Sequence, residues 1–222
     1  MSSFKNWTRD KLKERFGIKR QSNHPILLEW LNKSKDIVLN ELELSNLKRL
    51  REQLLLFVDF WNEEELKFKF IGNIVSLANY DTEDISGFAD RYISAIVDGD
   101  ELSGNPDFLV ATGKQEVKTP FFCLHEYKKE INNDSPDPAG QCLATMLAAQ
   151  TLNINEPKMA GKPIYGAYII ERNWFFLILE GKHYSISNAF VSTHEDDLMQ
   201  ILQVLKYCKQ IIVDIWGEES NH

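Results

Sequence analysis

Residues 105–129, NPDFLVATGKQEVKTPFFCLHEYKK, constrain the fold more than any other part of the chain. Two apolar runs, 105–110 (NPDFLV) and 121–129 (FFCLHEYKK), flank the turn-rich segment ATGKQEVKTP, so the stretch reads as two strands joined by a hairpin connection. Side chains alternate along a strand, which puts Glu126 and Lys128 on one face and His125 and Tyr127 on the other. Asp107 follows Pro106 at the start of the first run, and an antiparallel pairing brings it beside Glu126. Two carboxylates and a lysine on one patch suit a hard divalent cation, with an amine placed near a reacting phosphate.

The flanking sequence supplies helices. Segment 24–61 reads as helical, with Leu42, Leu47, Leu50, Leu54 and Val58 recurring at three- to five-residue intervals. Asn62 starts a second helix: it is a capping residue, and Glu65 stands three positions on, as in a capping box. Leu66, Phe70, Ile74 and Leu77 form the buried stripe of that helix. Glu63 lies three residues before Leu66 and so falls on the apolar face. The acidic trio Glu63-Glu64-Glu65 either complements the helix dipole or sends one member, Glu63 first, toward a site on the sheet. A strand is expected over 88–97, before a turn at Asp98-Gly99, which completes a three-strand antiparallel meander. A polar loop at 131–141 leads to a helix with Asp137 as N-cap and Pro138 in its first turn. That helix, AGQCLATMLAAQTLN, is rich in small residues, as close packing on a sheet requires. Strands follow at 164–170 and 174–179, GKHYSIS extends an edge, and a long helix runs from 195 to about 216.

The chain has 222 residues, enough for a full core, and is expected to divide into an N-terminal helical extension (1–61) and a main domain (62–222). No apolar run reaches the ~20 residues of a membrane-spanning helix, and no membrane contact is expected. The first residues lack the apolar centre of a secretory signal. Cys123, Cys142 and Cys208 are odd in number and widely spaced, which suits reduced thiols and a cytoplasmic location. The net charge of −8 opposes a generally basic, nucleic-acid-binding surface. Even so, Lys5, Arg9, Lys11, Lys13, Arg15, Lys19 and Arg20 stand against only Asp10 and Glu14 at the N-terminus, as a phosphate-touching arm or a solvated helix face. His183 and His194 have no partner at zinc-ligand spacing, and neither a nucleotide-binding glycine loop nor a nucleophile elbow is present.

Pro106-Asp107 on one strand and Glu126-Tyr127-Lys128 on the next resemble the PD-(D/E)xK nuclease superfamily. The order helix, three strands, helix, two strands, helix is also that of its restriction-endonuclease-like core, over about residues 62–216. The resemblance implies an α/β fold, a central mixed sheet flanked by helices, and metal-dependent hydrolysis of phosphodiester bonds in DNA, with RNA left open. It implies that Asp107 and Glu126 hold Mg²⁺, for which Mn²⁺ substitutes, and that the carbonyl of Tyr127 adds a ligand. Lys128 would serve the attacking water and offset charge on the phosphate. The run NEEELKFKFIGNIVSLANY is similar to the first helix of type I restriction-subunit N-terminal domains, with Tyr80 as its later aromatic. It selects Glu63 as an acid assisting the metal cluster, with Glu64 the alternative, and Asn73 stands where such helices often carry proline. Gln141 resembles the glutamine of the RecB-like branch, although Thr145 replaces the tyrosine that usually follows. The rival expectation is a catalytically inactive protein on this scaffold that binds nucleic acid or protein. The N-terminal helices, especially 42–58, are expected to offer a homodimer or partner surface.

Overall fold

The structure, a computed structural model, describes residues 2–130 and 137–217; positions 131–136 of the expected polar loop lie outside them. The chain opens with β1 (Ser2–Ser3), α1 (Arg9–Phe16), β2 (Lys19–Arg20), α2 (Pro25–Lys33) and α3 (Glu41–Phe57). Segment 24–61 is therefore not one helix. Ile37 is extended, and Asn40 restarts the chain: its side chain accepts from the Glu43 N–H while the Glu43 carboxylate accepts from the Asn40 N–H. This reciprocal cap satisfies two orphan donors, which a helix running through 37–40 would not need. The apolar period continues across the break, so the sequence conceals it.

Asn62 caps α4 (Glu63–Leu66) through the predicted box with Glu65. The same rod continues through one π turn, Lys67–Ile71, into α5 (Gly72–Ala78). Then come β3 (Ile85–Ala89), β4 (Ile93–Val97), β5 (Asp100–Gly104), β6 (Phe108–Thr112) and β7 (Lys118–Lys128), followed by α6 (Pro138–Leu152). The last elements are β8 (Ile164–Ile170), β9 (Asn173–Glu180), β10 (His183–Ile186), β11 (Phe190–Val191) and α7 (Glu195–Gly217).

The strand expected over 88–97 is split. Asp90, at φ +52°, turns the chain between β3 and β4. β3 pairs with β6, and β6 with β7, in the expected antiparallel meander, whereas β4 and β5 form a separate hairpin. Asp98 and Gly99, both at positive φ, make its predicted two-residue turn.

An eight-stranded mixed sheet, ordered β2-β10-β9-β8-β7-β6-β3 with β11 also on β9, runs through the molecule. The β7–β8 and β2–β10 pairs are parallel and the others antiparallel. Parallel neighbours need a long crossover, and α6 supplies it between β7 and β8. A three-stranded sheet, β1-β5-β4, lies on the far side of α6, which packs against β4 and β5 as well as β7 and β8. α6 is thus enclosed, and residues 138–149 are all buried. A helix buried on every side is apolar or small all round. Gly166 takes part in this fit, since a Cβ there would stand 2.7 Å from the Met146 sulfur. On the opposite side, α2, α3 and α5 pack on α7, and Trp30 of α2 meets Tyr165 and Phe176 edge-on.

Residues before 62 share this core. Phe4, Leu12, Phe16, Leu27, Trp30, Leu47, Leu50 and Leu54 are buried with the sheet residues, and β1 and β2 pair with β5 and β10. The stripe Leu47, Leu50, Leu54 and Val58 faces the chain's own interior, while Leu42 stays 71% exposed. That stripe is therefore not a free partner surface. Among the described residues, no helix is long and apolar enough to cross a membrane. The molecule is a mixed α/β protein with a central mixed sheet flanked by helices, as its sequence predicts.

Candidate active site

Antiparallel pairing of Phe108 with His125 sets Asp107 opposite Glu126 at one end of β6 and β7. The junction is held firmly. Asp107 Oδ2 accepts from the Tyr127 N–H at 2.7 Å, and the Asp107 carbonyl accepts from the Asp90 N–H. Asn105 donates to the Asp90 carboxylate at 3.0 Å, so the β3–β4 corner braces the segment leading to Asp107. Along β7, side chains alternate as predicted. Lys128 Nζ lies 2.7 Å from Glu126 Oε1, whereas His125 and Tyr127 turn away and join through His125 Nδ1 and the phenol at 2.9 Å. Cys123 Sγ meets the other ring nitrogen of His125 at 3.3 Å. Burial pushes the His125 pKa down to about 3, so the ring is a neutral packing group behind the strand.

Glu63, the first residue of α4, reaches the same patch. Its Oε1 stands 2.9 Å from Lys67 Nζ and 3.6 Å from Lys128 Nζ, and its Oε2 accepts from the Lys129 N–H at 3.4 Å. Of the acidic trio, Glu65 is taken by the capping box and the Glu64 side chain is 82% exposed. Only Glu63 faces both lysines. Its approach is fixed from behind: Lys129 Nζ donates to the Val58 carbonyl, and Arg172 pairs with Asp59 at 2.9 Å, tying the α3–α4 junction to the sheet.

Lys67 escaped the sequence reading. Its ammonium stands 2.8 Å from Asp107 Oδ1 as well as 2.9 Å from Glu63 Oε1. A signal was present, because Lys67 follows Glu63 by four residues and so shares its helix face.

The charges perturb one another strongly. Burial and the adjoining Asp107 carboxylate push the Glu126 pKa up to about 8, against the pull of Lys128. Burial also raises Glu63, but Lys67, Lys128 and the Lys129 N–H outweigh it and hold that carboxyl below its usual range. For Lys67 and Lys128 burial favours the neutral amine, yet the surrounding carboxylates prevail and raise both. Carboxylates and ammoniums here stabilise one another's charged forms, apart from the most buried acid.

Gln141, in the first turn of α6, is buried and lines the same cleft as Glu126, Tyr127 and Lys128. Thr145, where the related branch carries tyrosine, donates its hydroxyl to the Gln141 carbonyl at 3.0 Å. Asp137 occupies the N-cap position of α6 as expected, but its carboxylate accepts from the backbone N–H and Nε of Arg9. It thus satisfies the first N–H of α1, beside the Thr8 cap, and none in its own helix. Arg9 is thereby paired with Asp137, and Arg15 with Asp100, so these two arginines of the basic N-terminus serve internal contacts, while Lys5 lines the cleft.

The cleft measures about 1430 Å³. Sites for small molecules enclose about 300–1,000 Å³, so this one has room for an extended substrate. Among the described residues, no group of three or more His, Cys, Asp and Glu side chains is spaced to hold a metal ion. The adjoining donors are two carboxylates, Asp107 and Glu126. That pair fits Mg²⁺, which takes one or two carboxylates and keeps much of its water. Glu63 is directed at the lysines instead. The sequence matches no family model and no curated protein.

Proposed function

We propose that this chain is a metal-dependent nuclease of the PD-(D/E)xK type, with a restriction-endonuclease-like core, that hydrolyses phosphodiester bonds of DNA. The observation that carries the reading is the convergence of Asp107, Glu126 and Lys128 where β6 and β7 meet an open cleft. Asp107 and Glu126, with the Tyr127 carbonyl, would hold Mg²⁺ or Mn²⁺. When bound, such an ion polarises a phosphoryl oxygen and lowers the pKa of a coordinated water. The chain's own groups do the rest. The Tyr127 N–H keeps the Asp107 carboxylate oriented. Lys128, held as an ammonium between Glu126 and Glu63, offsets charge that builds on the phosphate. Glu63 keeps Lys128 and Lys67 in the cleft, which Gln141 also lines.

The decisive measurement is cleavage of labelled single- and double-stranded DNA and RNA with Mg²⁺ or Mn²⁺. Wild-type chain should cut DNA, and Lys128→Ala should lower the rate on the order of 100-fold or more, the range seen when one transition-state charge partner is removed. Cleavage that persists in the variant would remove the site from consideration. The second reading is a catalytically inactive protein of this fold that binds nucleic acid or protein, and one observation favours its protein-binding form. Among the described residues, the cleft lining holds six acids (Glu63, Glu64, Asp81, Asp90, Asp107, Glu126) and four lysines (Lys5, Lys67, Lys69, Lys128), an unfavourable balance for a polyanion. Absence of cleavage with every substrate and both metals would select it.

A further inference from the structure

Among the described residues, Lys67 is the one charged group at the centre of the site to which the proposed chemistry gives no task. Its position is nonetheless exact in its consequences. Asp107 has two carboxylate oxygens, and both are engaged: Oδ2 accepts from the Tyr127 N–H at 2.7 Å and Oδ1 meets Lys67 Nζ at 2.8 Å. Each oxygen keeps a second lone pair, but a divalent cation arriving at Oδ1 meets the charge and bulk of the Lys67 ammonium already there, so the two compete for the same carboxylate. The Tyr127 N–H belongs to the backbone of a central strand and cannot move alone. Lys67 is a long side chain at the cleft wall, 21% exposed, with two further acceptors on its own helix: Glu63 Oε1 at 2.9 Å and Glu64 Oε1 at 3.1 Å. Turning its ammonium from Asp107 toward Glu64 costs one ion pair and leaves no charge without a partner.

The backbone prepares this arrangement. The π turn begins at Lys67, whose carbonyl accepts from the Gly72 N–H five residues on. Single π turns inside α-helices are frequent at functional sites.

We propose that Lys67 is a resident counter-cation, displaced from Asp107 when a divalent cation binds, and that it thereby sets the metal affinity of the site. The inference rests on the metal-dependent reading above. Asp107 binds one cation or the other at Oδ1, so the lysine competes directly. After displacement its ammonium stays in the cleft, held by Glu63 and Glu64.

The test is Mn²⁺ binding by calorimetry to the full chain and to Lys67→Gln, Lys67→Met, Lys67→Arg and Asp107→Asn. Removing a unit charge at this distance should tighten binding on the order of tenfold in the Gln and Met variants. The Arg variant, which keeps the charge, should bind like wild type. Equal or weaker binding in folded Gln and Met variants would overturn the proposal. Wild-type protein gives an independent reading through acetic anhydride footprinting: Lys67 modification should rise when Mn²⁺ is added, and unchanged modification at saturating Mn²⁺ also overturns it. The two failures are separable. Binding that Asp107→Asn abolishes but Lys67→Gln leaves unaltered removes only the role of Lys67. Binding that Asp107→Asn does not affect removes the metal site itself.

Discussion

Glu126 shows how one residue's setting governs the behaviour of the whole patch. It is 2% exposed, and its carboxyl is raised from an ordinary 4.5 to about 8. A carboxyl whose folded pKa lies above its unfolded value holds its proton more tightly in the fold. The stability this adds is fully present below about pH 4.5 and is lost as pH rises through about 8. Metal-free protein should therefore lose stability across that window relative to Glu126→Gln, which cannot ionise. Denaturant unfolding at pH 5, 7 and 9 would check this, and the difference should move in the variant's favour by on the order of a few kcal/mol. A difference independent of pH would show that Lys128, 2.7 Å away, keeps Glu126 ionised throughout. At this scale the sequence was legible where residues are neighbours along one strand or helix. Asp107, Glu126, Lys128 and Glu63 come together as strand alternation and helix facing predict. Lys67 was obscured because a lysine beside three glutamates reads as an ordinary solvated pair, and nothing in its local pattern directs it to Asp107.

Elements followed the same division. The Asn62–Glu65 capping box, the Asp98-Gly99 turn and the small-residue helix were all readable, since each is decided within a few residues. The break at 37–40, the split of the strand expected over 88–97 and the π turn were not: the Asn40–Glu43 box interrupts an apolar period that runs on, Asp90 turns the chain at a positive φ that few non-glycine residues adopt, and the π turn lies within the helical spacing of Leu66, Phe70 and Ile74. The π turn is the most consequential of these. A Cβ at Gly72 would stand 3.0 Å from the Lys67 carbonyl oxygen, tighter than ordinary contact. Replacing an interior helical glycine with alanine normally stabilises by about 1 kcal/mol. Here the crowding should cancel that gain, so Gly72→Ala should melt at or below the wild-type temperature. A full gain in Tm would mean that the turn relaxes into α-helix at no cost.

The molecule as a whole ties its N-terminal quarter to the chemistry at its centre. Phe4, Leu12, Phe16, Ile18, Leu27, Trp30, Leu47, Leu50, Leu54, Val58 and Trp61 are all buried, and all precede residue 62. Full burial of one such side chain contributes about 1.5–3 kcal/mol, and a domain's net stability is only about 5–15 kcal/mol. Losing all eleven, on the order of 16–33 kcal/mol, exceeds that margin. The same segment also positions the site. Gly140 of α6 lies so close to α1 that a Cβ would stand 2.7 Å from the Thr8 Cα and the Trp7 carbonyl oxygen, one residue from Gln141. Val58 and Asp59 receive Lys129 and Arg172, which holds the turn that delivers Glu63. A fragment of residues 62–222 should therefore neither fold nor cleave, although it contains Glu63, Asp107, Glu126, Lys128 and Gln141. Near-ultraviolet circular dichroism and amide dispersion of that fragment would decide the matter. Native-like spectra with a cooperative melt would mean that residues 1–61 decorate a self-sufficient core; a collapsed or aggregated product would mean that the site exists only when both ends of the chain close around α6.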